Sequence, residues 1–283
     1  MDIETTDWVL KNGRGLELIG NSDRPAGDAH ACVVFVHGFK GYKDYGFVPV
    51  LCRALARDGV VVHRFNLSCS GMTNDTETFA RQDLFALDTW TRQVEDVRCV
   101  LDAVAEETLD GAGLARFVVG HSRGGATALM VAGREGTPEL AGVATINAVD
   151  ACCRMDAEAQ RELLERGWMV SASARTGQEL RINASWLEEQ LEDPAAHDVL
   201  GMCTSLQLPA LIMHGDADDA VDLNAGERIA SAIGAELHVV SGANHVLNMS
   251  NPALESAGIS PQLGEVIGLL TSFVKTNHGK API

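Results

Sequence analysis

Short apolar runs that end at or near a glycine recur along the chain, and amphipathic stretches fill the gaps between them. ACVVFVHG at 31–38 is apolar up to its final His-Gly, the pattern of a strand buried on both faces. VVVHRF at 60–65, LARFVVG at 114–120, AGVATIN at 141–147, LPALIMHG at 208–215 and AELHVVSG at 235–242 read the same way. Ahead of them, WVL at 8–10, a KNGRG turn and LELIG at 16–20 read as a hairpin. Helices are predicted over 47–58, where Gly59 stops the pattern, and over 123–133 and 261–275. From 87 to 104 the apolar positions fall at 87, 90, 94, 97, 101 and 104, a helical period that predicts a long amphipathic helix. Another helix is predicted over 223–232, with Asn224 and Glu227 at the spacing of a capping box.

Strands alternating with helices imply an α/β fold with a mostly parallel, doubly wound sheet covered on both faces. Right-handed crossovers then bring the strand C-termini to one edge, where ligands and catalytic groups belong. Residues 150–206 break the alternation with CCRMDAEAQRELLERGW and SWLEEQLEDP, both helical in pattern. The expected organisation is a core made of 1–149 and 207–277, a small helical cap inserted at 150–206, and a frayed tail at 278–283.

Composition narrows the function classes. With 283 residues and 46% hydrophobic content, one large α/β unit can bury a substantial core. A formal net charge of −17 argues against nucleic acid or an anionic membrane as partner. The seven cysteines are odd in number and show no CxxC pair, which argues for reduced thiols over a disulfide framework or a zinc site. MDIETTDW lacks the basic start and apolar run of a signal peptide, and no stretch has the apolar length of a membrane span. The cytoplasm is the expected location.

The chemistry collects at predicted strand ends. GHSRG at 120–124 fits G-x-S-x-G, with the serine on a strand-to-helix turn too tight for a Cβ at the flanking positions. A serine hydroxyl needs a base, and the base needs an orienting carboxylate. MHGDADDAV at 213–221 offers Asp216, Asp218 and Asp219, with Asp222 following as a helix cap, and SGANHVL at 241–247 offers His245. Ser, Asp, His is the chain order this architecture uses. His37 and His214 sit where they would shape turns, His238 lies mid-strand, and the side chain of His121 is expected to point into the packing. Cys69, Cys152 and Cys153 fall near the same edge, but none is on an elbow, so they read as bystander thiols.

On these residues the chain resembles the α/β-hydrolase fold superfamily from about residue 30 to 275. The pattern HG-x-x-D-x-x-V matches His214, Gly215, Asp218 and Val221, so the resemblance points to Asp218 as the acid, with Asp216 and Asp219 as alternatives. HGFKGYKDYGF at 37–47 and FNLSCSG at 65–71 resemble a bacterial branch termed dienelactone-hydrolase-like or serine-aminopeptidase-like. Dienelactone hydrolases use a cysteine nucleophile, whereas this chain has serine, so the substrate does not carry over. The resemblance implies a serine hydrolase with Ser122, Asp218 and His245 as catalytic residues, acting on an ester or related acyl bond of a small molecule. It also implies an oxyanion hole of the backbone N–H groups of Phe39 and Arg123, and neither cofactor nor metal. A peptidase or thioesterase using the same residues, and a non-catalytic member that binds a small ligand, are the alternatives. Lys40, Lys43 and Arg123 flank the expected site and Arg175 and Arg181 lie in the cap, all within an acidic protein. They predict a local positive field for a carboxylate-bearing substrate.

Overall fold

The computed structural model describes residues 2–134, 139–253 and 258–279. Eight strands form one sheet: β1 (Ile3–Lys11), β2 (Glu17–Pro25), β3 (Ala31–Val36), β4 (Val60–Asn66), β5 (Ala115–His121), β6 (Gly142–Ile146), β9 (Ala210–Gly215) and β10 (Leu237–Val240). Their order is β1-β2-β4-β3-β5-β6-β9-β10. β1 pairs antiparallel with β2, and β2 antiparallel with β4; every later pairing is parallel. The expected hairpin is therefore present but longer at both ends.

Alternation along the central strands divides the core in two. Val33 and Phe35 face α1 (Val48–Arg57) and α9 (Pro261–Asn277), packing with Leu51, Leu55, Leu263, Val266 and Leu270. Cys32, Val34 and Val36 face the opposite layer, which holds α3 (Trp90–Ala105), α4 (Arg123–Gly133) and α8 (Leu223–Ile233). The period predicted from 87 onward is the buried stripe Val94, Val97, Leu101 and Val104. That helix starts later than its apolar pattern, because the Thr89 side chain, in extended conformation, accepts from the Arg92 amide and caps it. A short helix α2 (Gln82–Phe85) precedes it, and Leu87 is left in the connecting turn, partly exposed. Asp222 caps α8 by accepting from the Asn224 amide, so Asn224 lies inside the first turn and the Asn224–Glu227 capping box does not form. α9 runs to Asn277, and the His278 ring packs edge-to-face against His30, with centroids 4.9 Å apart. Of the tail expected to fray, 280–283 lie outside the described residues.

The insertion between β6 and β9 is helical at its ends and not in its middle. α5 (Ala157–Arg166) stops at Gly167, in the left-handed conformation. An antiparallel pair follows, β7 (Trp168–Ala172) with β8 (Glu179–Asn183), then α6 (Ser185–Glu192) and α7 (Val199–Ser205). The expectation of a helical cap missed this hairpin. Its strands are five residues each, and only Leu180 and Ile182 carry the buried alternation. α7 packs on α4 and α8, in the helical layer of the core.

Candidate functional site

β5 delivers the chain to the C-terminal edge of the sheet, and Ser122 turns it into α4 with φ 56° and ψ −123°. A non-glycine residue with positive φ is strained and is held there only by its surroundings. The Ser122 amide donates to Ile146 O at 2.9 Å, while Ser122 O accepts from the Gly125 amide. The turn leaves no room beside it. A Cβ at Gly120 would lie 2.1 Å from Gly124 O, and one at Gly124 would lie 2.3 Å from Val36 O. Although Ser122 is the N-cap of α4, its side chain makes no capping hydrogen bond. Its hydroxyl is thus not spent on the helix, whose N-terminus carries a partial positive charge.

Asp218 and His245 come from the loops after β9 and β10. His245 Nδ1 lies 2.8 Å from Asp218 Oδ2. The other carboxylate oxygen accepts from the Ala220 and Val221 amides, each at 2.9 Å. Burial pushes the Asp218 carboxyl up, but the bonds from His245 and these amides outweigh it and hold the carboxyl below its usual range. Asp216 instead accepts from the Gly242 amide at 2.6 Å, tying the two loops together, and Asp219 is exposed. Of the three aspartates, Asp218 is the one on His245.

The neighbouring histidines serve the backbone. His37 accepts from the Leu67 amide with Nε2 and donates to Gly38 O with Nδ1, and burial lowers its pKa to about 4. His214 Nε2 donates to Val221 O at 3.0 Å and closes the acid turn. His121 is buried as expected, yet its ring also lines the cavity described next. Its Nε2 donates to His245 O at 2.7 Å, and burial lowers its pKa to about 3.

Ser122, His121 and His245 line one cavity of about 200 Å³. Its other walls are the β3–α1 loop, including Phe39 and Lys40, and the turn of the β7–β8 hairpin at Ser173, Ala174 and Arg175. Three of the five expected cations do not face it. Lys43 is buried, its ammonium bonded to Asn21 Oδ1 at 2.7 Å and paired with Asp44. Arg181 lies on the exposed face of β8, its guanidinium 5.0 Å over the Trp168 ring. The Arg123 guanidinium is drawn under α3 by an ion pair with Asp88 at 3.2 Å and by the Trp90 ring at 4.4 Å. Lys40 and Arg175 do line the cavity. None of Cys69, Cys152 and Cys153 does; burial pushes the Cys69 thiol up to about 11 and the Cys152 thiol up to about 12. Among the described residues no group of three or more His, Cys, Asp or Glu side chains could hold a metal ion. No helix among them is long and apolar enough to cross a membrane.

Sequence reasoning missed Asn147, the residue that joins these parts. It is fully buried at the end of β6 with φ 51°. Its Oδ1 accepts from the Gly215 amide at 2.8 Å, and its Nδ2 donates to Asn244 O at 3.2 Å and His245 O at 3.0 Å. A lone asparagine at a strand end carries no motif that could have singled it out.

The sequence model of the Alpha/beta hydrolase family matches residues 33–257. No protein of curated function matches the chain in sequence. Among solved structures, the esterase domain of a Rhodothermus marinus protein is similar with a TM-score of 0.65 at 22% identity, over 99% of this chain and 100% of that one. Est1E from Butyrivibrio proteoclasticus, solved with ferulic acid bound, gives 0.72 at 18% identity over 96% and 100%. Dienelactone hydrolase from Anabaena variabilis gives 0.61 at 16% identity over 98% and 100%. At such identities the likeness is one of fold.

Proposed function

The chain belongs to the alpha/beta hydrolase family, and on that premise we propose that it is a serine hydrolase cleaving an ester or related acyl bond of a small molecule. The observation that carries this reading is that His245, bonded to Asp218, and Ser122 line one cavity. A proton on Nδ1, held by the Asp218 carboxylate, leaves the Nε2 lone pair as the basic site of the ring. Nε2 takes the Ser122 proton as Oγ attacks the carbonyl, and the resulting imidazolium is stabilised by Asp218. The same proton then passes to the leaving alcohol, and the C–O bond breaks. Water, deprotonated by His245, attacks the acyl-enzyme and releases the acid. The amides of Phe39 and Arg123 receive the oxyanion, a contribution of about 3–4 kcal/mol for each donor in comparable sites. The small cavity supports a small-molecule substrate.

Intact-mass detection of labelling by a fluorophosphonate tests the assignment on wild type and Ser122→Ala. One adduct on wild type and none on the variant is expected, with ester hydrolysis reduced by several orders of magnitude. An adduct on Ser122→Ala, or hydrolysis near the wild-type rate, overturns it.

A further inference from the structure

Many cations of this acidic protein stand beside a carboxylate. Arg14 pairs with Glu95, Lys43 with Asp44, Arg64 with Asp23 and Asp44, Arg123 with Asp88, and Arg154 and Arg228 with Asp150. Lys40 and Arg175 are the two cations that line the cavity with Ser122; among the described residues neither makes an ion pair, and no Asp or Glu lines that cavity. Lys40 bonds only a backbone carbonyl, Ala172 O, and lies 5.2 Å over the Phe39 ring. Arg175 donates to Thr76 O and to Met72 Sδ, and its guanidinium stacks over Tyr42 at 5.0 Å and Phe79 at 5.1 Å. A guanidinium has five N–H donors and an ammonium three, so both groups keep donors beyond these bonds.

The backbone makes the same point. Lys40 has φ 58°, a conformation that costs a lysine strain a glycine would not feel. Lys40 and Ser122 are strained non-glycine residues lining one cavity. Partial burial without a counter-ion also lowers the Lys40 pKa, an effect a bound anion would reverse. The two cations come from different elements, Lys40 from the β3–α1 loop and Arg175 from the hairpin turn of the insertion, and the Lys40 ammonium reaches that hairpin at Ala172 O.

We infer that Lys40 and Arg175 form an anion subsite beside Ser122 that binds a carboxylate carried by the acyl substrate. The inference rests on the serine-hydrolase reading for what happens to the bound molecule. The insertion hairpin is then a specificity element, because it supplies one of the two charges.

The test is binding without turnover, on Ser122→Ala protein, by NMR titration with two matched pairs. Monomethyl succinate against dimethyl succinate puts the charge on the acyl side; O-acetylglycolate against its methyl ester puts it on the leaving group. In at least one pair the anion is expected to bind about tenfold or more tightly than its neutral partner. That ratio should fall toward one in Lys40→Gln and in Arg175→Gln, and shrink at about 0.5 M salt. Lys40→Gln keeps a donor for Ala172 O and decides the matter if Arg175→Gln disturbs the hairpin turn. Ratios of one in both pairs overturn the subsite, as does a ratio unchanged in Lys40→Gln. Failure of the serine reading would appear separately, as no hydrolysis of any of the four esters by wild type while the binding ratio stands.

Discussion

Asn147→Asp keeps the shape of the residue that joins the acid and histidine loops and removes only its two N–H donors. Aspartate tolerates the left-handed backbone that Asn147 adopts at φ 51°, and it can still accept from the Gly215 amide. What is lost are the bonds to Asn244 O at 3.2 Å and His245 O at 3.0 Å, worth about 1 kcal/mol each. What is added is an acidic oxygen facing two carbonyl oxygens at a fully buried position, so the new carboxyl favours its protonated form. The protonated acid restores at most one donor. The net loss is about 2–4 kcal/mol at neutral pH. The folded pKa of the new group lies above its unfolded value of about 3.9, so the deficit is small below that pH. It grows as pH rises, up to the folded pKa. His245 O keeps the His121 bond, so the loop should shift and not detach. A shift of this kind lowers kcat by about 10- to 100-fold with a much smaller change in KM. Thermal denaturation between about pH 5 and pH 8, with kcat and KM for p-nitrophenyl acetate, measures both effects. Wild-type melting and wild-type kcat together would refute the role given to Asn147.

Two further outcomes follow from other parts of the same frame. Gly124→Ala would place a methyl group 2.3 Å from Val36 O and 2.4 Å from His37 O, backbone atoms that cannot step aside. A loss of roughly 3 kcal/mol or more, or insoluble protein, is expected on expression and thermal melting, and a normally folded, active variant would contradict the elbow geometry. Glu189 of the insertion accepts from the Trp90 and Thr91 amides at the start of α3, at 2.6 and 3.2 Å, and lies 3.4 Å from His197 Nε2. Burial pushes the Glu189 carboxyl up, but the bonds from His197 and the α3 terminus bring it below its usual value. Burial likewise pushes His197 down, but Glu189 and Asp193 O raise it. The carboxylate's contribution is present above pH 4.5 and lost as pH falls through its lower folded pKa; the imidazolium's is present below pH 6.5 and lost as pH rises through its higher one. The stability gap between wild type and Glu189→Gln should therefore be widest between those values, at about 1 kcal/mol, and a gap independent of pH in chemical denaturation would refute it.

What was legible in the sequence is what repeats or what sits on a short motif. The central strands announce themselves because burial on both faces leaves no polar position in VVFV, and α3 because its stripe holds period over four turns. Ser122, Asp218 and His245 could be named as candidates because each follows a strand within a few residues. The β7–β8 hairpin was not legible: it buries few side chains, and the flanking helical patterns absorb it. Charge was the least legible property. Lys40 and Lys43 are three residues apart in one loop, yet one faces the cavity and the other is consumed by Asn21 of β2 and by its chain neighbour Asp44. Sequence shows that a cation is nearby but not which carboxylate has already claimed it.

On the serine-hydrolase reading proposed above, one of several similarly placed histidines carries the proton-transfer role. His37, His121, His214 and His245 all stand at strand ends around the elbow. His37 and His121 are buried, with pKa values lowered to about 4 and about 3, so both are neutral at neutral pH. Each spends an N–H on a backbone carbonyl, Gly38 O and His245 O respectively, and His214 does the same toward Val221 O. His245 alone of the four has its Nδ1 on a carboxylate at 2.8 Å, the partner that stabilises an imidazolium. The other three hold the loops on which that bond depends: His37 the β3–α1 loop, His214 the acid turn, His121 the histidine loop itself. On that same reading, replacing one of them would act only through the position of His245 or of the amides.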